Sequence, residues 1–184
     1  MASTFYQGRL SSSTGAIVWG TASAAIMGLT VTKNMSVNAL AQGSARMGVY
    51  ADLGADWHQE WLLWLAIETG TANTAGNAAH AYMAETFDTT YWPGKVDGTD
   101  AAYPTTVVDN LKMLGPPITS LIVNADANTV LIQNPVLYVP AARYIAPVIY
   151  NNMGNAIRNE GTASNNNSGI VMIAAKNYFS DTEP

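Results

Sequence analysis

Two histidines, thirteen carboxylates and no cysteine are all that the chain offers to metal or acid–base chemistry. Asp56, His58 and Glu60 alternate, so an extended backbone would turn all three to one side. Two carboxylates and one imidazole match no metal's preference strongly, and zinc sites draw on three or four well-spaced ligands. The better reading is the polar end of a strand. His80 stands alone and reads as a hydrogen-bonded or solvent-facing strand residue. Asp97, Asp100 and Asp109 lie in a long loop region, but a calcium loop needs tighter oxygen spacing closed by a bidentate acid. An ordinary solvated loop accounts for them. No G-x-S-x-G, H-E-x-x-H or G-x-x-x-x-G-K-[ST] occurs. No catalytic residue, metal ligand or cofactor site is assigned, and the chain reads as a non-enzyme.

The aromatic residues are better candidates for work. Phe87, Tyr91, Trp92 and Tyr103 sit in or beside an irregular stretch over residues 87–105, punctuated by Pro93-Gly94, Asp97-Gly98 and Pro104. Long loops in compact domains usually make contacts or carry function. Such rings serve as sugar-stacking platforms, or they anchor the loop and bury into a neighbouring subunit; the second use is the favoured reading. Phe5 and Tyr6, in a polar N-terminal stretch rich in Ser, Thr and Gly, join them as candidate contact residues. Trp61 and Trp64 read as core or sheet-covering residues.

Composition points the same way. Apolar residues make up 48% of the 184 positions and charged residues 11%, against about 25% charged in typical soluble chains. A lone monomer usually covers itself with charge, which opposes association. Here Ala, Asn, Thr, Ser and Gly fill that role, giving a surface that tolerates contact with other protein. The net charge is −5 and the eight basic residues are scattered. Nucleic acid and anionic membranes are therefore not expected partners. Without cysteine the core must hold by burial alone. Residues 16–31 are apolar but diluted by Gly, Ser and Thr, so they are read as neither a signal peptide nor a membrane span.

The elements that must position these residues are short strands. Residues 57–68 are the strongest, with Trp61, Leu63, Leu65 and Ile67 on one face and Leu62, Trp64 and Ala66 on the other. Both faces are apolar, so this strand is central or covered; Trp57, Trp61 and Trp64 also fit helical spacing, but aromatic residues favour strands and the turn residues over 70–76 end the run. Further strands are expected over 78–86, 118–123, 129–132, 136–139, 143–150 and 169–175, separated by Gly, Pro and Asn turns. Residues 22–29 are open to a short helix. The pattern implies an all-β, antiparallel two-sheet sandwich, jelly-roll or Ig-like, with an N-terminal arm. Residues 1–39 are read as arm and lead-in, and residues 40–184 as the sandwich domain.

Four stretches carry a resemblance. They are Ala81-Tyr-Met-Ala-Glu-Thr-Phe-Asp-Thr-Thr-Tyr91, Asp97-Gly-Thr-Asp-Ala-Ala-Tyr103, Leu111-Lys-Met-Leu-Gly115 and Ala142-Arg-Tyr-Ile-Ala-Pro-Val-Ile-Tyr-Asn-Asn-Met-Gly-Asn-Ala156. With Leu40-Ala-Gln-Gly43 and Arg46 upstream, this order of strands and turns resembles small virion structural proteins of tailed bacteriophages, common among marine phages. The resemblance implies a capsid decoration (cement) protein that bridges capsomers, located in the virion and assembled in the host cytoplasm. Its expected partners are the major capsid protein or other virion proteins, together with its own copies; trimers suit three-fold positions of a shell. A tail or neck protein, or a glycan-binding module for host attachment, is the alternative.

Overall fold

A computed structural model describes residues 16–57, 59–104, 107–159 and 167–175. The chain forms β1 (Ala16–Gly20), β2 (Ala25–Ile26), β3 (Leu29–Thr30), β4 (Lys33–Asn34), β5 (Ala45–Met47), β6 (Ala51–Asp52), β7 (Trp61–Glu68) and β8 (Ala78–Thr86). A short helix, α1 (Val107–Lys112), precedes β9 (Thr119–Ile122), β10 (Val130–Ile132), β11 (Val136–Tyr138), β12 (Tyr144–Asn152) and β13 (Gly169–Ala174). The front sheet runs β4, β1, β13, β7, then β10 and β11, which both pair with β7. The back sheet runs β5 and β6, β12, β8, β9. Every pairing in these two sheets is antiparallel except β1 with β4.

Two of the strands are interrupted ones, β5 continuing as β6 and β10 as β11. Counted so, the first strand of the roll (β1) pairs with the last (β13) and the second (β5/β6) with the seventh (β12). The third (β7) pairs with the sixth (β10/β11), and the fourth (β8) with the fifth (β9). That connectivity is a jelly roll, so it selects between the two sandwich types the sequence left open.

Alternation dictates the core. On β7, Leu63, Leu65 and Ile67 face inward with Trp19, Ile170 and Met172 of neighbouring strands. The back sheet answers with Ala79, Ala81, Met83, Ile145 and Ile149, of which the two alanines are small. Small side chains opposite bulky ones let the two layers interdigitate. Trp19 also ties the layers by a polar bond, its Nε1 donating to the Val49 carbonyl at 2.7 Å.

Each outer face carries its own cover. The β2–β3 hairpin lays Ile26 and Leu29 over Val18, Trp64, Val171 and Ile173 of the front sheet. Its turn uses Met27 (φ 53°) and Gly28 (φ 79°), both left-handed as a two-residue hairpin requires. Over the back sheet, Val96, Tyr103 and Leu111 of α1 pack on Ala84, Ala146, Val148 and Met47.

Three expectations need correction. The sandwich does not start at residue 40: β1 sits between β13 and β4, and Trp19 is fully buried. Residues 22–29 form the hairpin and not a helix, because the apolar residues there cover a sheet instead of forming a helical stripe. The long strand also begins later than expected, since residues 54–56 make a 3-10 turn before β7 starts at Trp61. The proposed arm over residues 1–14 lies outside the described residues.

Close approach explains one glycine. Gly169 lies between Gly20 of β1 and Ala66 of β7. A β-carbon there would collide with the Trp19 carbonyl oxygen and crowd Ile26. Gly169→Ala is expected to cost about 2–3 kcal/mol. The check is a lower denaturant midpoint at unchanged slope.

Candidate contact surface

At one end of the roll, four connections meet: residues 21–44, 69–77, 123–129 and 153–159. Asn128 donates its backbone N–H to Gly70, Thr74 to Met153 and Ala39 to Arg158. Thr69 Oγ1 donates to the Asp126 and Thr129 carbonyls, and Asn155 reaches the Ala72 carbonyl. A shallow groove of about 520 Å³ lies between them, lined mainly by Ala, Gly, Thr71, Asn128 and Asn159, with Arg158 at its margin. The Arg158 guanidinium is engaged: Nη1 stands 2.7 Å from Glu68 Oε1, while Asn167 Nδ2 holds Oε2 at 3.0 Å. The Glu68 carboxylate is buried and Arg158 partly exposed, so this end is braced by a half-sequestered ion pair.

The opposite end holds Phe87, Tyr91 and Trp92, while Tyr103 lies in the cover of the back sheet. Phe87 is 65% exposed and Tyr91 76% exposed. Trp57 meets Phe87 edge-on at 5.3 Å between ring centroids. Trp92 is half-buried; its Nε1 donates to the Thr89 carbonyl at 2.9 Å and its ring lies 6.0 Å from Tyr50. Tyr103 is buried against the back sheet and donates its hydroxyl proton to the Gly94 carbonyl. As a contact residue, Tyr103 is therefore replaced by a loop anchor: its ring is enclosed in the cover of the back sheet. Phe87 and Tyr91 project, and Trp92 sits between the two roles. Phe5 and Tyr6 lie outside the described residues.

The same end is stiffened by charge. Arg143 grips Asp52 with two bonds, Nε to Oδ1 at 2.6 Å and Nη2 to Oδ2 at 2.7 Å. Glu85 accepts from the Tyr138 hydroxyl at 2.8 Å and from the Ala141 backbone. Burial, with Glu85 beside it, pushes the Tyr138 phenol well above its usual range. The hydrogen bond from Arg143, then the Gly54 N–H, hold the Asp52 carboxyl down at about 2. A depressed acid stabilises the fold above its unfolded pKa and loses that contribution as pH falls through the folded value. The advantage of the natural chain over Arg143→Ala is therefore expected at neutral pH and to vanish between about pH 4 and pH 2. Both side chains are partly solvent-exposed, so the shift in thermal midpoint should be small even at neutral pH.

The loop acids do not gather. Asp100 accepts from Ser36 N and Oγ at 2.9 and 2.6 Å and from Arg46 Nε at 2.6 Å. Burial would raise its pKa, but the Arg46 and Ser36 bonds outweigh this and lower it. Asp97 caps Thr99, and Asp109 pairs with Lys112 on the surface of α1. These carboxylates pin a loop to β5 and terminate turns. His80 lies 2.8 Å from Ser120 Oγ through Nδ1 and stacks on Tyr150 at 6.0 Å; burial lowers its pKa. His58 lies outside the described residues. Among the described residues no three His, Asp or Glu converge on one point, and no helix is long and apolar enough to cross a membrane.

No protein-family model, curated protein or solved structure matches this chain. The surface must therefore speak for itself, and part of it was not singled out from the sequence. Val130, Ile132, Leu137 and Val139 are all exposed along β10, β11 and the residue beyond. A signal existed: residues 115–142 contain one charge, Asp126.

Proposed function

We propose that this protein is a non-enzymatic structural component of a tailed-phage virion, a capsid decoration (cement) protein that bridges capsomers. The observation that carries this reading is the exposure of Phe87 and Tyr91 at one end of a domain with so few charges. Large rings left in water are favourable to cover, and a neutral polar surround leaves little to desolvate. Jelly rolls recur in viral capsid and lectin domains; fold alone does not choose among functions, so the surface carries the argument. Modest contacts suffice, because many copies with two or more contact surfaces gain avidity. The expected partner is the major capsid protein or another virion protein, contacted by residues 87–92 together with residues 1–14 and 159–168.

Sedimentation with phage heads lacking decoration protein tests this. The natural chain is expected to pellet with heads. A Phe87→Ser, Tyr91→Ser double variant is expected to need about tenfold more protein for equal occupancy, a loss of about 1.4 kcal/mol in all. Natural protein that stays in the supernatant at all concentrations would sink the reading. A tail, neck or glycan-binding role is the second reading, supported by the open face of Tyr91. Glycan-array binding that disappears in Tyr91→Ala would favour it.

A further inference from the structure

We propose that a second copy of this chain docks on the outer face of the front sheet, along β7, β10 and β11. The register sets the floor of this site. Leu137 lies opposite Leu62, Ile132 opposite Ala66 and Val130 opposite Glu68. Leu62 and Ala66 face outward, since Leu63, Leu65 and Ile67 face the core; paired residues share a face, so Val130, Ile132 and Leu137 face outward too.

The β2–β3 hairpin covers this face only in part. It packs over Val18, Val171 and Ile173 and reaches Trp64 on β7. Beyond it, Val130 is 41% exposed, Ile132 51% and Leu137 59%. These side chains form a contiguous apolar shelf, and such exposed apolar patches often mark interaction sites. It lies on an edge, since β10 and β11 pair only with β7 among the described residues. Sheet edges are commonly guarded by charge, lysine above all. No lysine, arginine or glutamate occurs in residues 115–142.

Charge argues for a copy of the chain as the occupant. A partner selected by electrostatics would find nothing to read here, whereas an identical neutral face meets no like charge. Glu68 at the margin is already paired with Arg158 and Asn167, so docking buries no uncompensated charge. Asn134, exposed between β10 and β11, supplies a neutral polar rim beside the apolar centre. A self-complementary patch suits a two-fold contact. Pro135 and Pro140 interrupt the edge, which disfavours backbone pairing across it; the contact is made by side-chain faces. This inference does not rest on the virion reading.

Sedimentation velocity of the full chain up to about 100 µM tests it, because association follows mass action. The natural protein is expected to gain mass with concentration. An Ile132→Lys, Leu137→Lys double variant should stay monomeric at concentrations at least tenfold higher, with a native circular dichroism spectrum, because both side chains already meet solvent. Ile132→Thr with Leu137→Gln is the milder pair if the lysines perturb folding. Ile122→Lys, on the exposed edge of the back sheet, should associate like the natural chain. A natural protein that is monomeric throughout overturns the proposal. So does association unchanged in a folded shelf variant, or weakened equally by Ile122→Lys.

Discussion

Truncating Trp19 to alanine is expected to cost about 4 kcal/mol, the upper range for an aromatic side chain removed from a core. Trp19 is fully buried between the sheets, beside Leu65, Ile170 and Met35. The removal leaves a cavity walled by stiff strands that cannot collapse into it. It also strips the part-buried Val49 carbonyl of its donor, which adds at most about 1 kcal/mol. Chemical denaturation should show the loss as a lower midpoint. For a chain of this size each kcal/mol moves the thermal midpoint by about 2–4 °C, so a fall of more than about 10 °C is expected. Trp19→Phe keeps most of the packing and separates the two contributions. A shift of only a degree or two in Trp19→Ala would mean that the two layers are not held together here.

The second large effect is expected at the braced end of the roll. Arg158→Ala leaves the buried Glu68 carboxylate held at its side chain by Asn167 alone of the two bonds described. Removing one member of a buried pair costs about 3 kcal/mol, because the other charge stays desolvated. Arg158 is itself partly exposed, which keeps the figure at the lower end of that range. A double variant, Arg158→Ala with Glu68→Leu, removes the stranded charge and should recover much of the loss. Recovery is the informative result. If the double variant is no better than the single one, the damage comes from the Arg158 stem and not from the carboxylate.

The long strands were readable because alternation is a local signal. β7 has apolar residues on both faces, and the structure gives both a cover: the back sheet inside and the hairpin outside. β8 is found over the expected residues, and β12 and β13 shift by one or two at their ends. β1 was hidden because Gly15, Gly20 and nearby Thr and Ser blur a five-residue strand, although its Trp19 anchors the core. The hairpin was misread because Met27 adopts a left-handed backbone that its side chain does not advertise. Choosing a jelly roll over an Ig-like sandwich depended on pairings between distant strands, which no short window contains.

The contact residues show a similar division. Tyr91 and Tyr103 sit in the same irregular stretch with similar composition around them. Only the path of the chain turns one ring outward and folds the other over Ala84 and Val148. The shelf of Ile132 and Leu137 escaped notice because three-residue strands are too short to display a period. What betrays it is a missing property, the near absence of charge over residues 115–142.

The pairing of the first strand of the roll with the last has a consequence for synthesis. β13 is inserted between β1 and β7, so both of those strands wait for Gly169–Ala174 to leave the ribosome. Until then two apolar edges stand open, and neither half of the chain can finish a layer alone. Contacts so distant along the chain make for slow maturation, and a nascent chain stopped before β13 would be a sticky fragment for chaperones or proteases to clear.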